Sequence, residues 1–254
     1  MSTVSLRAVS KEFQARADRV LAVDGVDLAI AHNEFAAILG PSGCGKSTVL
    51  NMVAGFERPT RGRVLVDEQP VDAPGPQRGV VFQEAALFPW YTVLDNVTFG
   101  PRTRGVPPGA YRPKVEGLLD LVGLRGFERH YPAELSGGMK QRVGLARVLV
   151  MEPALLLMDE PFGSLDAQTR SVMQELLLSV WERHQQTVLF VTHDIEEALL
   201  LADTVVVMTA RPGRIKTRIP VDLPRPRTLE TTTSPRFNEL KRQLLGLVRQ
   251  DALT

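Results

Sequence analysis

A lysine closing a glycine-rich run is the first chemical signal in this chain. Gly40, Pro41, Ser42, Gly43, Cys44, Gly45, Lys46, Ser47 and Thr48 fit the spacing Gly-x-x-x-x-Gly-Lys-Ser. Such spacing lets a backbone wrap closely round an anion with its N–H groups turned inward. In a loop of this kind Lys46 reaches the β- and γ-phosphates of a nucleotide, and Ser47 offers its hydroxyl to Mg2+. Cys44 has no partner base legible in the sequence, so it reads as a small filler and not as a nucleophile. The second signal is the apolar run Leu155-Leu-Leu-Met158, which ends in Asp159-Glu160. A carboxylate at the carboxyl edge of a parallel sheet, beside a phosphate loop, can hold Mg2+ through its water shell, and that is the role read for Asp159. Glu160, one residue further, points differently and can polarise an attacking water. The third signal is Leu135-Ser136-Gly137-Gly138-Met139, ahead of a partly basic helical run. It makes another helix N-terminus with exposed donors, hence another place for an anion; a plain capping turn, with Ser136 as the N-cap, is the other reading.

These residues need particular elements to hold them. Phe35 to Leu39 is a continuous apolar run, as expected of a strand buried on both faces, and it leads straight into the phosphate loop. Val49, Leu50, Met52 and Val53 suit a short helix ending at Gly55. Leu21, Val23, Val26, Leu28 and Ile30 alternate across an Asp24-Gly25 turn signal. Val64 to Val66 and Gly79 to Phe82 read as short strands. Residues from Leu87 to Val150 read as mainly helical, broken by the Gly/Pro-rich stretch Gly100 to Gly109. Leu155 to Asp159 and Thr187 to Thr192 are further buried strands. Between them Val172, Met173, Leu176, Leu177, Val180 and Trp181 recur at helical spacing, giving a βαβ unit. After Val205 to Met208, the segment Arg211 to Arg227 is rich in proline and basic residues. It reads as a solvated connector, with acidic lipid head groups as the alternative partner. Pro235 to Arg249 places Phe237, Leu240, Leu244 and Val248 on one face of an appended amphipathic helix. The expected organisation is one domain over residues 1–225, with a helical subdomain inserted at about 87–150, and a helical tail over 226–254. His32, His130 and His184 show no partner pattern and read as solvated or structural.

Composition narrows the classes further. The chain has 254 residues, 44% of them hydrophobic and 23% charged, which suits a globular protein with a substantial core. Lysine plus arginine number 30 against 29 acids, so net charge supplies no reason to expect nucleic acid or a bare membrane surface. A single cysteine excludes an internal disulfide framework and a zinc site of several thiolates. The start lacks an apolar signal core, and no apolar run approaches the roughly 18 residues of a membrane span. The expectation is a chain that stays in a reducing cytosol.

Taken in order, the motifs over roughly residues 3–215 resemble the nucleotide-binding subunit of ATP-binding cassette (ABC) transporters. The phosphate loop corresponds to Walker A and Leu155 to Glu160 to Walker B. Leu135 to Met139 is similar to the family signature LSGGQ, with Met139 in place of Gln. Gln83 matches the Q-loop, Ser164-Leu165-Asp166 the D-loop and His193 the switch histidine, while Phe13 sits where the family places an aromatic that stacks on adenine. The resemblance implies an α/β fold: a P-loop NTPase core with a parallel sheet, an antiparallel β subdomain and an inserted helical subdomain. It implies ATP and Mg2+ as cofactors, with Glu160 as the base, His193 at the γ-phosphate, and Gln83 completing the metal and water shell beside Ser47 and Asp159. It also implies a head-to-tail dimer in which each ATP lies between the phosphate loop of one copy and Ser136-Gly137-Gly138 of the other. Two transmembrane permease subunits would be the membrane partners, with a periplasmic or extracellular solute-binding protein acting indirectly and no nucleic acid involved. Such a subunit lies peripherally at the cytoplasmic face of the inner membrane.

Pro74 to Gln83, Leu87-Phe-Pro-Trp90 and Asp95-Asn-Val97 look like the taurine, sulfonate and nitrate branch of importers. In the family a permease helix docks after the Q-loop, which makes Trp90 a candidate contact; burial of Trp90 in this chain's own helical subdomain is the other reading. A soluble ABC-type ATPase of cluster assembly stays open on the motifs alone. A GTPase or small-molecule kinase would leave the signature turn and His193 unexplained, and no Asn-Lys-x-Asp base-reading motif is present.

Overall fold

The run Phe35–Leu39 is buried at every position, and its side chains divide between two cores. Phe35, Ala37 and Leu39 join one apolar cluster, Ala36 and Ile38 another. A strand without polar alternation must be covered on both faces in this way. The computed structural model describes residues 2–15 and 18–250. Its strands are β1 (Val4–Ala15), β2 (Asp18–Ile30), β3 (Phe35–Leu39), β4 (Arg61–Val66), β5 (Gln69–Pro70), β6 (Arg78–Val81), β7 (Leu155–Asp159), β8 (Thr187–Thr192), β9 (Thr204–Met208) and β10 (Ile215–Pro220). Its helices are α1 (Lys46–Ala54), α2 (Val93–Thr103), α3 (Pro108–Leu121), α4 (Gly137–Leu149), α5 (Ala167–His184), α6 (Ile195–Leu201) and α7 (Pro235–Gln250).

The larger sheet has the order β10-β9-β3-β8-β7-β6, parallel throughout except for β10 against β9. The smaller sheet, β2-β1-β4-β5, is antiparallel. The fold is therefore an α/β P-loop NTPase core with an antiparallel β element, and α2, α3 and α4 form a helical cluster with its own apolar centre at Val93, Val97, Val115, Leu119, Leu124 and Val143. Register is what positions the chemistry. Leu39 pairs with Thr192, Val191 with Asp159, and Met158 with Val81. Gly40, His193, Glu160 and the segment reaching Gln83 thus leave the carboxyl ends of four neighbouring parallel strands, the edge where open α/β sheets place ligands.

Several sequence expectations need correction. Asp24-Gly25 is no hairpin turn: β2 runs through it, and Gly25 takes φ 59° as the strand is bent at a register shift against β1. The Gly100 to Gly109 stretch breaks the helices only at 104–107, because α2 continues through Gly100 and Pro101 and α3 begins at Pro108, where a missing N–H costs nothing. Val172 faces solvent, while Met173, Leu177, Val180 and Trp181 are buried; the true stripe on α5 is narrower than the apolar residues suggested. The Arg211 to Arg227 segment is not a solvated connector and leaves no free basic stripe for lipid. It contains β10, and its arginines other than Arg211 are tied into the fold by ion pairs or several hydrogen bonds. Arg225 pairs with Asp203 at 2.7 Å. Arg227 is buried and donates to the carbonyls of Leu199, Ala202, Val221 and Leu223, with burial pushing its guanidinium down to about 10. Helix α7 behaves as its periodicity requires: Phe237, Leu240 and Leu244 are buried in the main core. His32 accepts at Nδ1 from the Ser2 N–H, and the His184 side chain lies outside the described residues. No helix among the described residues is long and apolar enough to cross a membrane.

Candidate functional site

The phosphate loop joins β3 to α1 with two residues in the left-handed region, Gly43 at φ 76° and Gly45 at φ 97°. At Gly45 a Cβ would also lie 2.8 Å from Val23 and 2.9 Å from the Ala22 carbonyl oxygen, so both conformation and space demand glycine there. Helix α1 starts at once after Gly45, with no side-chain cap and no acid in its first turn. Its first N–H groups and the positive end of its dipole are left for an anion. Lys46, only 4% exposed, donates to the carbonyls of Gly40 at 2.9 Å and Pro41 at 3.0 Å. Cys44 is buried within the loop, and burial raises its thiol above the ordinary range, away from the reactive thiolate.

The acids close in from β7. Ser47 donates to Asp159 Oδ1 at 2.8 Å. Burial raises the Asp159 carboxyl, and the nearby Glu160 charge adds to this, while the Ser47 hydroxyl opposes it. Glu160 takes φ 43°, a left-handed conformation that costs a non-glycine residue roughly 1 kcal/mol. Its N–H donates to the Val191 carbonyl, and the turn aims the carboxylate back over the loop. Glu160 Oε1 lies 3.6 Å from Lys46 Nζ, and Oε2 lies 2.9 Å from His193 Nδ1. Gln83 follows β6, with its carbonyl accepting from the Gln141 amide. A Cβ built on Gly163 would lie 3.4 Å from Gln83 Nε2 and 3.8 Å from Glu160 Oε2, so the two side chains approach one another across that glycine.

Phe13 reaches the same place from β1. With Val20, Ala22, Ser42, Gly43, Gly45, Lys46, Ser47, Thr48, Glu160 and Arg211 it lines an open cavity of about 290 Å³. Lys11 Nζ stands 4.9 Å from the Phe13 ring centre and is paired with Glu57 at 2.7 Å. The signature residues are elsewhere. Ser136 caps α4 by accepting from the Met139 N–H, Gly138 is buried against Thr169, and Gly137 lines a different cleft with Glu84, Leu87, Pro89, Lys140 and Ser164.

A family model described as ABC transporter matches residues 23–163, more than half of the chain. An uncharacterised ABC transporter ATP-binding protein of Methanocaldococcus jannaschii is 48% identical over 96% of this chain and 91% of its own length. The chain belongs to the ABC transporter family. As an ABC ATPase it is also similar to the taurine import ATP-binding protein TauB of Burkholderia thailandensis, 46% identical over 98% of this chain and 97% of that one. Among solved structures, the ATP-binding cassette MJ0796, a dimer in a post-hydrolysis state bound to ADP and Pi, superposes with a TM-score of 0.76. It is 32% identical over 86% of this chain and 98% of that chain.

Within this ABC ATPase the structure brings Lys46, Ser47, Asp159, Glu160 and His193 together, sets Phe13 on the cavity wall and Gln83 near Glu160 beside Gly163, and leaves Ser136-Gly137-Gly138 outside. Sequence reasoning missed Arg211, which donates from Nε to the Gly43 carbonyl at 3.2 Å. The only sequence signal was its membership of a basic stretch, with nothing to separate it from the other arginines.

Proposed function

We propose that this chain is the ATP-hydrolysing subunit of an importer for a small anion such as taurine. It is held peripherally at the cytoplasmic face of the inner membrane by two separate permease subunits, with a solute-binding protein acting on the other side. The observation that carries the reading is the meeting of Lys46, Glu160 and His193 above a phosphate loop. In the chain alone Lys46 satisfies its charge on two loop carbonyls and, more distantly, on Glu160. A triphosphate exchanges the neutral partners for charged ones, which makes stronger, shorter bonds. Glu160 then keeps its place through His193 and its own strained turn, ready to accept a hydrogen from the attacking water, while His193 contacts the terminal phosphate. The Ser47 hydroxyl and the Asp159 carboxylate are hard oxygen donors at the helix end and fit Mg2+, with Gln83 completing the shell. When bound, the ion would neutralise phosphate charge.

A signature turn that lines none of this chain's own phosphate cavity supports a site shared head to tail between two copies. Two incomplete halves then enclose ATP only when the copies close, so binding drives closure and hydrolysis releases it. The permease docks at the surface after β6. There Trp90 is 67% exposed on an aromatic group in which Phe88 lies 5.8 Å from Trp90 and 4.6 Å from Phe99, centre to centre. Beside it is the cleft lined by Leu87 and Pro89. The likeness to taurine import proteins over nearly the whole chain supports taurine as the solute. Glu160→Gln keeps size and hydrogen bonding but removes the base, so ATP should still bind while turnover falls on the order of 10²-fold or more. Near-normal turnover defeats the assignment. Deleting the gene should abolish uptake of labelled taurine, and undiminished uptake would remove taurine as the solute.

A further inference from the structure

Arg211 sits 168 positions from the loop it touches. It follows the end of β9, in a turn that is bound tightly to the rest of the molecule. Thr209 N–H donates to the Arg214 carbonyl and Arg214 N–H to Thr209 Oγ1. Gly213 N–H donates to the Ala22 carbonyl, and Asp24 N–H to the Gly213 carbonyl. Arg214 is paired with Asp24. Gly213 packs on the phosphate loop so closely that a Cβ there would lie 2.0 Å from the Cys44 carbonyl oxygen. The turn is therefore a rigid platform, and Arg211 projects from it into the wall of the phosphate cavity.

The guanidinium has five donors. Among the described residues one is used, Nε on Gly43, and Arg211 forms no ion pair. This contrasts with Arg214, Arg218, Arg225 and Arg227 in the same segment, which are paired with acids or bonded to several carbonyls. An arginine fixed beside an anion-binding loop, with its forked end uncommitted, is suited to phosphate. We infer that Arg211 is a nucleotide-binding residue that contacts the phosphates common to ATP and ADP. The inference rests on the reading of this cavity as the nucleotide site. The end of the cavity marked by Glu160 and the Ser47–Asp159 pair belongs to the terminal phosphate and metal. Arg211 touches none of these groups and joins the loop at Gly43 instead. Its contact serves affinity, not the hydrolytic step.

The test uses the full chain with ATP and with ADP in the presence of Mg2+, reading Kd by calorimetric titration and KM and kcat for ATP. Arg211→Ala should weaken both nucleotides by the same factor, about tenfold for one lost charge-assisted contact. The loss should fall in KM more than in kcat and shrink at high salt, since the group is exposed. Arg211→Lys keeps the charge and should recover most of the affinity. Arg211→Gln keeps a donor for the Gly43 carbonyl without the charge and should resemble Ala. Restoration by Gln would show a purely structural bond and overturn the inference. So would a loss confined to ATP, or an Ala variant within twofold of the parent for both nucleotides. Lys46→Ala separates this outcome from the larger one. If Lys46→Ala abolishes binding and Arg211→Ala changes nothing, only the role of Arg211 fails; if neither changes binding, the cavity is not the nucleotide site.

Discussion

Gly213 lets the phosphate loop be disturbed from outside it. A Cβ at this position would lie 2.0 Å from the Cys44 carbonyl oxygen and 3.2 Å from its carbonyl carbon, where ordinary contact begins at 3.4 Å. The obstacle is backbone, so Gly213→Ala forces one segment to give by roughly 1 Å or more in a close-packed interior. The turn carrying Gly213 is pinned to β2 by two backbone hydrogen bonds, so the phosphate loop is the side that yields. A displacement of about 1 Å in a positioning element costs on the order of 10²-fold in rate, and the crowding itself costs about 1–3 kcal/mol of stability. Steady-state ATPase assays of the purified chain should show kcat/KM down by about 10²-fold in a protein that still melts cooperatively, several degrees lower. Gly246→Ala is the control. It lies exposed within α7, towards the C-terminal end of the helix, with nothing among the described residues within 4 Å of the new Cβ, so ATPase should be unchanged and stability raised by about 0.5–1 kcal/mol. A folded Gly213→Ala protein with kcat/KM within about threefold of the parent would refute the reasoning.

Trp90→Ala should cost about 1 kcal/mol or less, because two thirds of the residue is already in water. Co-purification with the permease should nonetheless fall, and undiminished association of the folded variant would remove Trp90 from the docking surface. Glu197 is buried beneath the His193 turn, accepting from Thr192 Oγ1 at 2.7 Å, and burial raises its carboxyl above the ordinary 4.5. An acid shifted upward contributes stability that is fully present below about pH 4.5 and is lost as pH rises through its folded value. Glu197→Gln should therefore lose less stability than the parent between pH about 4 and 7 in urea titrations, whereas parallel pH profiles would show that the shift has no thermodynamic weight.

Much of the fold was legible because its signals are local. Phe35 to Leu39, the glycines of the phosphate loop and the acids after Met158 each state their conformation through neighbours in the chain, and backbone freedom at Gly43 and Gly45 requires no distant partner. The stripe on α7 was equally plain, since one face of Phe237, Leu240 and Leu244 needs only a 3.6-residue period. The Asp24-Gly25 pair misled because the same dipeptide that turns a hairpin can bend a strand, and pairing with β1 decides which. What the tertiary structure alone decided is who meets whom. Glu160 faces both Lys46 and His193 because β3, β8 and β7 lie side by side in a register that no local pattern encodes. Trp90 stays in water because the helical cluster is filled by Val93, Val97 and Val143 without it. Arg211 stands over the phosphate loop because β9 pairs with β3 and carries the following turn to Gly43. The basic stretch holding Arg211 has a composition visible in the sequence, but the destination of each charge depends on long-range strand pairing.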